Sequence, residues 1–338
     1  MIISRVPLRI SLFGGGSDYK SFFSRGYGSV LGGSISKYVY VALSTLPPFA
    51  PEFFRLTYRQ TESVNSIEDI NHPVVKEVFT NLRVNQRFNM ATFSDISGGS
   101  GLGGSSAFTV ALKAALDKHA GIDSKSTDLA NYAIMIERDK LKESGGWQDQ
   151  YHCSVGGFRE YRFLNSGVQI SEPLLDFQTL EKLSKYFFLY SIGESRSSAE
   201  PASATEEASM STTGKFNLFK LAELSLETSE KIKKTSDFYL LVELIAENLN
   251  KAWQLKKNFG ALVAPPEIQD EIEHGFANGA IAAKLCGAGQ TGYILFMVPE
   301  ESAFQCRTSL GYDKTLDFTF VSNGAQVWQI KPEDQNWS

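Results

Sequence analysis

Between Gly98 and Gly104 the chain reads Gly-Gly-Ser-Gly-Leu-Gly-Gly, five glycines in seven residues, followed by Ser105-Ser106 and an apolar run. Glycine lets the main chain turn sharply and approach a ligand closely. A glycine turn feeding a helix start leaves amide N–H groups free and puts the positive end of the helix dipole at one point, which suits a phosphate. The competing reading is a flexible loop with a serine cap. The familiar phosphate loops do not fit. Gly99-x-Gly101-x-x-Gly104 has the dinucleotide spacing and Asp123 falls near the acidic position, but a second helix follows where that motif needs a strand. No Lys precedes Ser105, so the Walker pattern fails, and the HRD and DFG strings of protein kinases do not occur.

Several charged residues have surroundings that chemistry needs. Leu129, Tyr132, Ala133 and Ile136 recur at helical spacing, and one turn beyond Ala133 lies Glu137. A carboxylate on a buried stripe is costly unless it meets a cation. With a phosphate loop in the same chain, Mg²⁺ is one such cation; an Arg or Lys is the other. Asp149 follows Gly145-Gly146 and precedes Gly156-Gly157, so backbone and substrate can approach it from both sides. It either orients or deprotonates an attacking hydroxyl, or caps a short helix. Asp18 comes directly after Gly14-Gly15-Gly16-Ser17 and either accepts from sugar hydroxyls or caps the segment after it. Arg9 either holds an oxygen of a ligand at the same end of its strand or is a solvated strand residue. Arg196 is the lone basic residue of a Ser-, Ala-, Thr- and Glu-rich stretch, 191–214, whose composition is that of a mobile loop. It either closes on a phosphorylated ligand or stays in water. A last glycine turn, Gly287-Ala288-Gly289-Gln290-Thr291-Gly292, precedes the apolar run Tyr293–Val298. It either brings backbone to a phosphate or sugar, or is a tight hairpin turn.

The elements that must position these groups follow from periodicity. From Ile2 to Phe13, Val6, Leu8, Ile10 and Leu12 alternate with Pro7, Arg9, Ser11 and Phe13, which reads as a strand with one buried side. Strands are expected at Val30–Leu31, Ser34–Ser44, Phe53–Tyr58 and Phe88–Ile96, with a helix over Pro73–Leu82. The glycine loop opens a helix to about His119, and a second, more apolar helix carries Glu137. A hairpin spans Gly157–Phe163 and Val168–Ile170. Beyond it come a strand at Phe187–Ser191, long helices at Lys215–Thr235 and Asp237–Phe259, and a third at Glu267–Asn278. Helix returns at Glu300–Leu310, and strands at Leu316–Val321 and Gln326–Ile330.

At 338 residues the chain holds two domains, divided here as 1–180 and 181–338. Its 42% hydrophobic and 21% charged residues are those of a globular protein. A net charge of −5 argues against nucleic acid as a partner. Cys153, Cys286 and Cys306 lie in no metal spacing and, with no signal peptide, read as reduced thiols of a cytoplasmic protein. No apolar run is long enough to cross a membrane. His72, His119, His152 and His274 form no ligand pair for zinc.

Taken in order, Pro7-Leu8-Arg9-Ile10-Ser11-Leu12-Phe13-Gly14-Gly15-Gly16-Ser17-Asp18, then Gly98 to Ala107, then Gly287 to Gly292 resemble the GHMP kinase superfamily along almost the whole chain. Gly14 to Asp18, Phe54-Arg55-Leu56-Thr57-Tyr58, Thr61-Glu62 and Gly145 to Tyr151 look closest to its bacterial heptose-phosphate kinases. The resemblance implies an α+β, two-domain fold: an N-terminal domain like the second domain of ribosomal protein S5 and a ferredoxin-like C-terminal domain. It implies ATP against Gly98, Gly99, Ser100, Gly101, Leu102, Gly103, Gly104, Ser105 and Ser106, with Mg²⁺ on Ser106 and Glu137. Asp149 would be the catalytic aspartate, assisted by Arg9. Gly15, Gly16, Ser17, Asp18, Asp149, Arg196, Gly287, Ala288 and Gly289 would face a small sugar or sugar phosphate, and assembly with further copies of the chain is left open. The reaction implied is phosphorylation of the anomeric hydroxyl of D-glycero-D-manno-heptose 7-phosphate. Another sugar acceptor, of fucose, hexose or octose type, and a non-catalytic sugar-binding scaffold are the alternatives. The chain departs from the heptose-kinase pattern at Gly104, where serine is usual, at Trp147, where lysine is frequent, and at Gln290-Thr291, where glycines are usual.

Overall fold

The computed structural model of the chain describes residues 1–193, 203, 206–208, 210–259, 264–287, 289 and 292–330. Two sheets organise it. Strand β1 (Ile2–Phe13) pairs antiparallel with β2 (Tyr27–Thr45), after a single helical turn α1 (Lys20–Phe23). β2 is long enough to serve two partners along its other edge. Its C-terminal half pairs with β5 (Phe88–Ser94), and its N-terminal half with β6 (Phe158–Leu164), which in turn pairs β7 (Gly167–Ile170). β3 (Phe54–Thr57) lies parallel to β5, reached through β4 (Thr61–Val64) and α2 (Pro73–Asn81). Proline at the first position of α2 starts that helix, because its missing N–H would have no intrahelical partner there.

On this sheet lie α3 (Gly104–His119), α4 (Ser126–Ile134) with a wider π-turn over Met135–Lys140, and α5 (Gln148–Val155). The expected one-sided burial of β1 is corrected. Pro7, Arg9 and Phe13 are buried along with Val6, Leu8, Ile10 and Leu12. Helices α3 and α5 and the long helices of the second half all pack on β1, so both faces are buried over residues 6–10.

The second half begins with α6 (Phe177–Ser184), whose N-cap Asp176 accepts from the Thr179 N–H at 2.8 Å, and β8 (Phe187–Ser191). Two long helices follow: α7 (Thr212–Ile232), capped by Ser211, and α8 (Phe238–Lys257), capped by Asp237. Then come α9 (Pro266–Ala277), β9 (Ala282–Leu285), β10 (Tyr293–Met297), α10 (Glu300–Leu310) and β11 (Thr315–Leu316). The strands assemble as β11-β8-β10-β9, all antiparallel, which is the first-to-fourth order 4-1-3-2 of a ferredoxin-like sheet. The expected strand Leu316–Val321 shrinks to β11, because the chain leaves that sheet and Phe320 forms a single bridge to Ile35 of β2. The last strand, β12 (Gln326–Gln329), returns to the first sheet and pairs with β1, so the tail of the second half closes the first. Residues 194–202, 204, 205 and 209 of the stretch 191–214, Arg196 among them, lie outside the described residues, as do Ala288, Gln290 and Thr291. Among the described residues no helix is long and apolar enough to cross a membrane.

The two halves meet main chain to main chain. A Cβ on Gly287 would stand 2.5 Å from the Gly101 Cα, and one on Gly292 would stand 2.5 Å from the Ser100 carbonyl oxygen. Real Cβ atoms do not approach so closely, and Gly292 also holds φ at +112°. Gly292→Ala is therefore expected to push β10 off the glycine loop and to cost about 1–3 kcal/mol. Thermal denaturation checks this; an unchanged melting midpoint would mean that the two turns need not touch.

Candidate active site

The first and second glycine motifs and α5 converge on one arginine. Arg9, midway along β1, donates from Nε to Asp149 Oδ1 at 2.8 Å and from Nη2 to Asp149 Oδ2 at 2.7 Å. Its Nη1 donates to the Gly101 carbonyl at 2.7 Å, and its backbone N–H to the Leu102 carbonyl at 3.0 Å. Burial alone would weaken the charge on this guanidinium, but the paired carboxylate more than offsets it and leaves Arg9 more firmly protonated than usual. The solvated-strand reading of Arg9 is thereby excluded. Asp149 sits in the first turn of α5 with 24% of its side chain exposed. Each of its oxygens retains a lone pair beyond the one given to Arg9.

Around this pair opens a cavity of about 670 Å³. Its walls include Gly99, Ser100, Gly101, Gly103, Gly104, Ser105 and Ser106 of the loop, Gly15 and Gly16 of the first turn, Glu137, Gln148, Asp149 and Gly287. Gly99, Gly101 and Gly103 have φ between +75° and +80°, which lets the loop curl around the cavity. Gly103 stands at the N-cap of α3 with no side-chain cap, so the amides of the first turn remain available. Those amides and the helix dipole suit a polyphosphate. A Cβ at Gly104 would meet nothing within 4 Å, so serine or glycine serves equally there.

Glu137 is 1% exposed, carried inward by the π-turn that extends α4. Its Oε2 accepts from Ser106 Oγ at 2.8 Å and from Gln150 Nε2 at 2.7 Å, with Arg138 Nη2 at 3.5 Å. Oε1 is buried without a hydrogen-bond partner. Burial raises the carboxyl pKa, and the nearby Arg138 and hydrogen-bond donors only partly oppose it. A buried, unpartnered carboxylate oxygen beside a serine hydroxyl is the hard-oxygen donor set that Mg²⁺ takes, with the remaining ligands coming from water and phosphate. No cluster of three or more His, Cys, Asp or Glu side chains suited to a metal occurs among the described residues.

Other expected site residues are placed differently. Asp18 does not line the cavity. Its Oδ1 accepts from the Gly16 N–H at 2.9 Å and Gln148 Nε2 at 3.1 Å, and its Oδ2 from the Gln148 N–H at 3.0 Å. A Cβ on Gly146 would fall 1.8 Å from Asp18 Oδ2, so the glycine before Trp147 exists to admit this carboxylate. Burial raises the Asp18 pKa, its backbone donors oppose this, and nearby Asp149 adds to it. Ser17 is wholly buried and donates to the Gly14 carbonyl at 2.7 Å while accepting from the Ser29 N–H at 3.1 Å. Both residues fasten the first turn to its neighbours and touch no ligand space. Leu102 is likewise buried and serves through its carbonyl. Gly98 is exposed beside Arg59, and Gly289 is buried off the cavity wall. The Trp147 ring turns away to pack edge-on against Phe23, 4.9 Å between centroids, with the Lys20 ammonium 5.8 Å from its centre.

Four groups on the walls went unread in the sequence. Ser11 Oγ and Gln148 Oε1 are buried without partners close to Gly15. Lys256 from α8 donates to the carbonyls of Leu285 and Gly287, and Lys284 from β9 donates to those of Ser11 at 2.9 Å and Leu12 at 2.7 Å. Ser11 was signalled by its place two residues after Arg9 on the same strand face. The lysines sit in elements that read only as helix and strand.

Residues 71–157 match the family described as GHMP kinases N terminal domain. The whole chain is 29% identical to a D-glycero-alpha-D-manno-heptose 7-phosphate kinase of Campylobacter jejuni, covering 97% of this chain and 99% of that one. A crystal structure named as a D-glycero-D-manno-heptose 1-phosphate kinase from Bacteroides thetaiotaomicron superposes with a TM-score of 0.78 at 23% identity, over 98% of this chain and 100% of that one. Galactokinase of Lactococcus lactis, solved with galactose, superposes with a TM-score of 0.71 at 16% identity, over 96% and 95% of the two chains. The resemblance to GHMP kinases and the two-part α+β fold are thus borne out.

The pKa direction of Glu137 makes a stability prediction. The folded protein holds a proton there that the unfolded chain has already released, so this contribution is full below the unfolded value of about 4.3 and is lost as pH rises through the folded value. Metal-free Glu137→Gln should therefore lose less stability than wild type as pH rises from 4 to 8. Added Mg²⁺ with nucleotide should raise the melting midpoint of wild type well above that of the variant. Identical pH profiles and identical responses would remove Glu137 as a metal ligand.

Proposed function

We propose that this chain, which has the GHMP kinase fold and resembles that superfamily from end to end, is an ATP-dependent sugar kinase acting on the anomeric hydroxyl of a heptose phosphate. The observation that carries the reading is the Arg9 fork. One guanidinium clamps the carboxylate of Asp149 and, with its remaining arm, the Gly101 carbonyl of the glycine loop. A general base and a polyphosphate cradle are thereby held at one fixed separation, which is what transfer between two bound substrates needs.

In this reading the free amides of the loop and of the first turn of α3 hold the triphosphate. Ser106 and Glu137 would hold Mg²⁺, which would supply positive charge to the phosphates. Asp149 accepts the proton of the sugar hydroxyl on a lone pair not used by Arg9. The hydroxyl oxygen bonds to the terminal phosphorus as the bond from that phosphorus to the bridging oxygen breaks, and ADP departs. The anomeric hydroxyl is more acidic than an ordinary alcohol, so Asp149 need not be a strong base. Ser11 and Gln148, with unpartnered polar atoms beside Gly15, supply hydrogen bonds for sugar hydroxyls.

The heptose assignment is supported by the curated relative, named as a heptose 7-phosphate kinase. The structural neighbour is named instead for a heptose 1-phosphate, so the named relatives agree on the sugar and differ on its phosphate. A further relative, L-fucokinase/L-fucose-1-P guanylyltransferase of Bacteroides fragilis, is 26% identical over 77% of this chain and 25% of its own length. It keeps a fucose-type acceptor as the second reading.

Asp149→Asn should lower turnover roughly 100-fold or more, and, because it leaves the buried Arg9 charge without its carboxylate, should also lower the melting midpoint. Unchanged turnover would remove Asp149 as the base. The acceptor is identified by ADP release with D-glycero-D-manno-heptose, its 7-phosphate and its 1-phosphate, L-fucose and galactose, all at one nucleotide concentration. The 7-phosphate is expected to give the highest kcat/KM, and a higher value for L-fucose would establish the second reading.

A further inference from the structure

We propose that Lys256 and Lys284 form a second anion subsite, within the cavity of the glycine loop, that receives a phosphate group. Both lysines line the cavity, and each ammonium spends two of its three donors on backbone carbonyls. Among the described residues neither forms an ion pair with a carboxylate, and Asp149 of the same cavity is forked onto Arg9. Lys284 is 5% exposed, and a buried ammonium without a counter-charge is costly. Burial lowers Lys284 to about 7, with Lys256 adding to the effect, and burial lowers Lys256 to about 8, with Arg9 contributing. An arriving dianion supplies the missing charge and draws a proton onto them.

Their placement matches the task. Lys284 is anchored on the carbonyls of residues 11 and 12, just before the Gly14–Gly16 turn on the sugar side. Lys256 is anchored on Gly287, which packs on Gly101 of the nucleotide side. The pair stands where the two substrates meet. The phosphate is either the terminal phosphoryl of the nucleotide or the acceptor's own phosphate. The inference rests on the kinase reading for those two sources, though not for the chemistry of the subsite.

The test compares wild type with Lys284→Gln and Lys256→Gln by calorimetry, using two ligand pairs: Mg·AMP-PNP against Mg·ADP, and heptose 7-phosphate against heptose. Loss of one charged hydrogen bond should weaken one phosphate-bearing member about 10- to 100-fold and spare its partner. Separation of the first pair assigns the terminal phosphoryl; separation of the second assigns the acceptor's phosphate. Equal losses for all four ligands, meaning a clamp alone, or no loss at all would overturn the subsite. Wild type provides a reading that no folding defect can blur. At pH 8 in Hepes and Tris, the favoured phosphate-bearing ligand should take up more protons than its partner, and equal uptake would overturn the subsite. If wild type transfers phosphate to none of the acceptors, the kinase reading fails. Inorganic tripolyphosphate then decides the subsite alone: tighter binding to wild type than to the lysine variants upholds it, and equal binding overturns it.

Discussion

A single buried guanidinium sets the geometry of this molecule. Arg9 contributes it from the interior of a strand, Asp149 meets it from the start of a helix 140 residues later, and Gly101 from a loop between them. A charge at this depth is tolerated only when its donors are used. Arg9 uses three of them on Asp149 and Gly101, and the planar fork fixes direction as well as distance. Lysine at this position would carry the charge and lose the alignment.

The second half of the chain is held against that arrangement by backbone rather than by an apolar seam alone. Glycines at 101, 287 and 292 allow the turn before β10 to rest on the loop, and the two lysines stitch the same turn and the end of β1 through carbonyls. The last glycine motif, read in the sequence as a backbone ligand for phosphate or sugar or else as a tight hairpin turn, lies between the antiparallel strands β9 and β10 and also joins the two sheets. Gly287 does both, since it also lines the cavity, whereas Gly292 meets Ser100.

Local pattern carried the elements well because period and punctuation act locally. The α3 start, the buried side of Glu137 and the hairpin at β6 and β7 all follow from spacing and glycine placement. What did not follow was anything set by long-range packing. The polar face of β1 looked solvated because its partners lie far along the chain: Arg9 meets Gly101 and Asp149 of α5, and α7 and α8 of the second half also pack on β1. Lys256 and Lys284 sit among ordinary helix and strand residues, and only the closure of the two sheets turns them toward a cavity. The end of the chain was assigned to the second domain by order, yet β12 belongs to the first sheet.

Hydrogen-bond completeness separates scaffold from site among the charged and polar residues near the glycine turns. Ser17 and Asp18 are fully engaged, with Gly146 shaped to admit the carboxylate, so further contacts would add little and their removal would loosen the turn. Glu137 Oε1, Ser11 Oγ and Gln148 Oε1 are the opposite case: buried, on residues that line one cavity, and without a partner. Each such atom costs stability in the free protein. Three such atoms belong to residues of one cavity wall, where a ligand would complete their bonds. By that criterion the same short stretch, Gly14 to Asp18, divides in two: Gly15 and Gly16 face the ligand space, and the serine and aspartate hold them there.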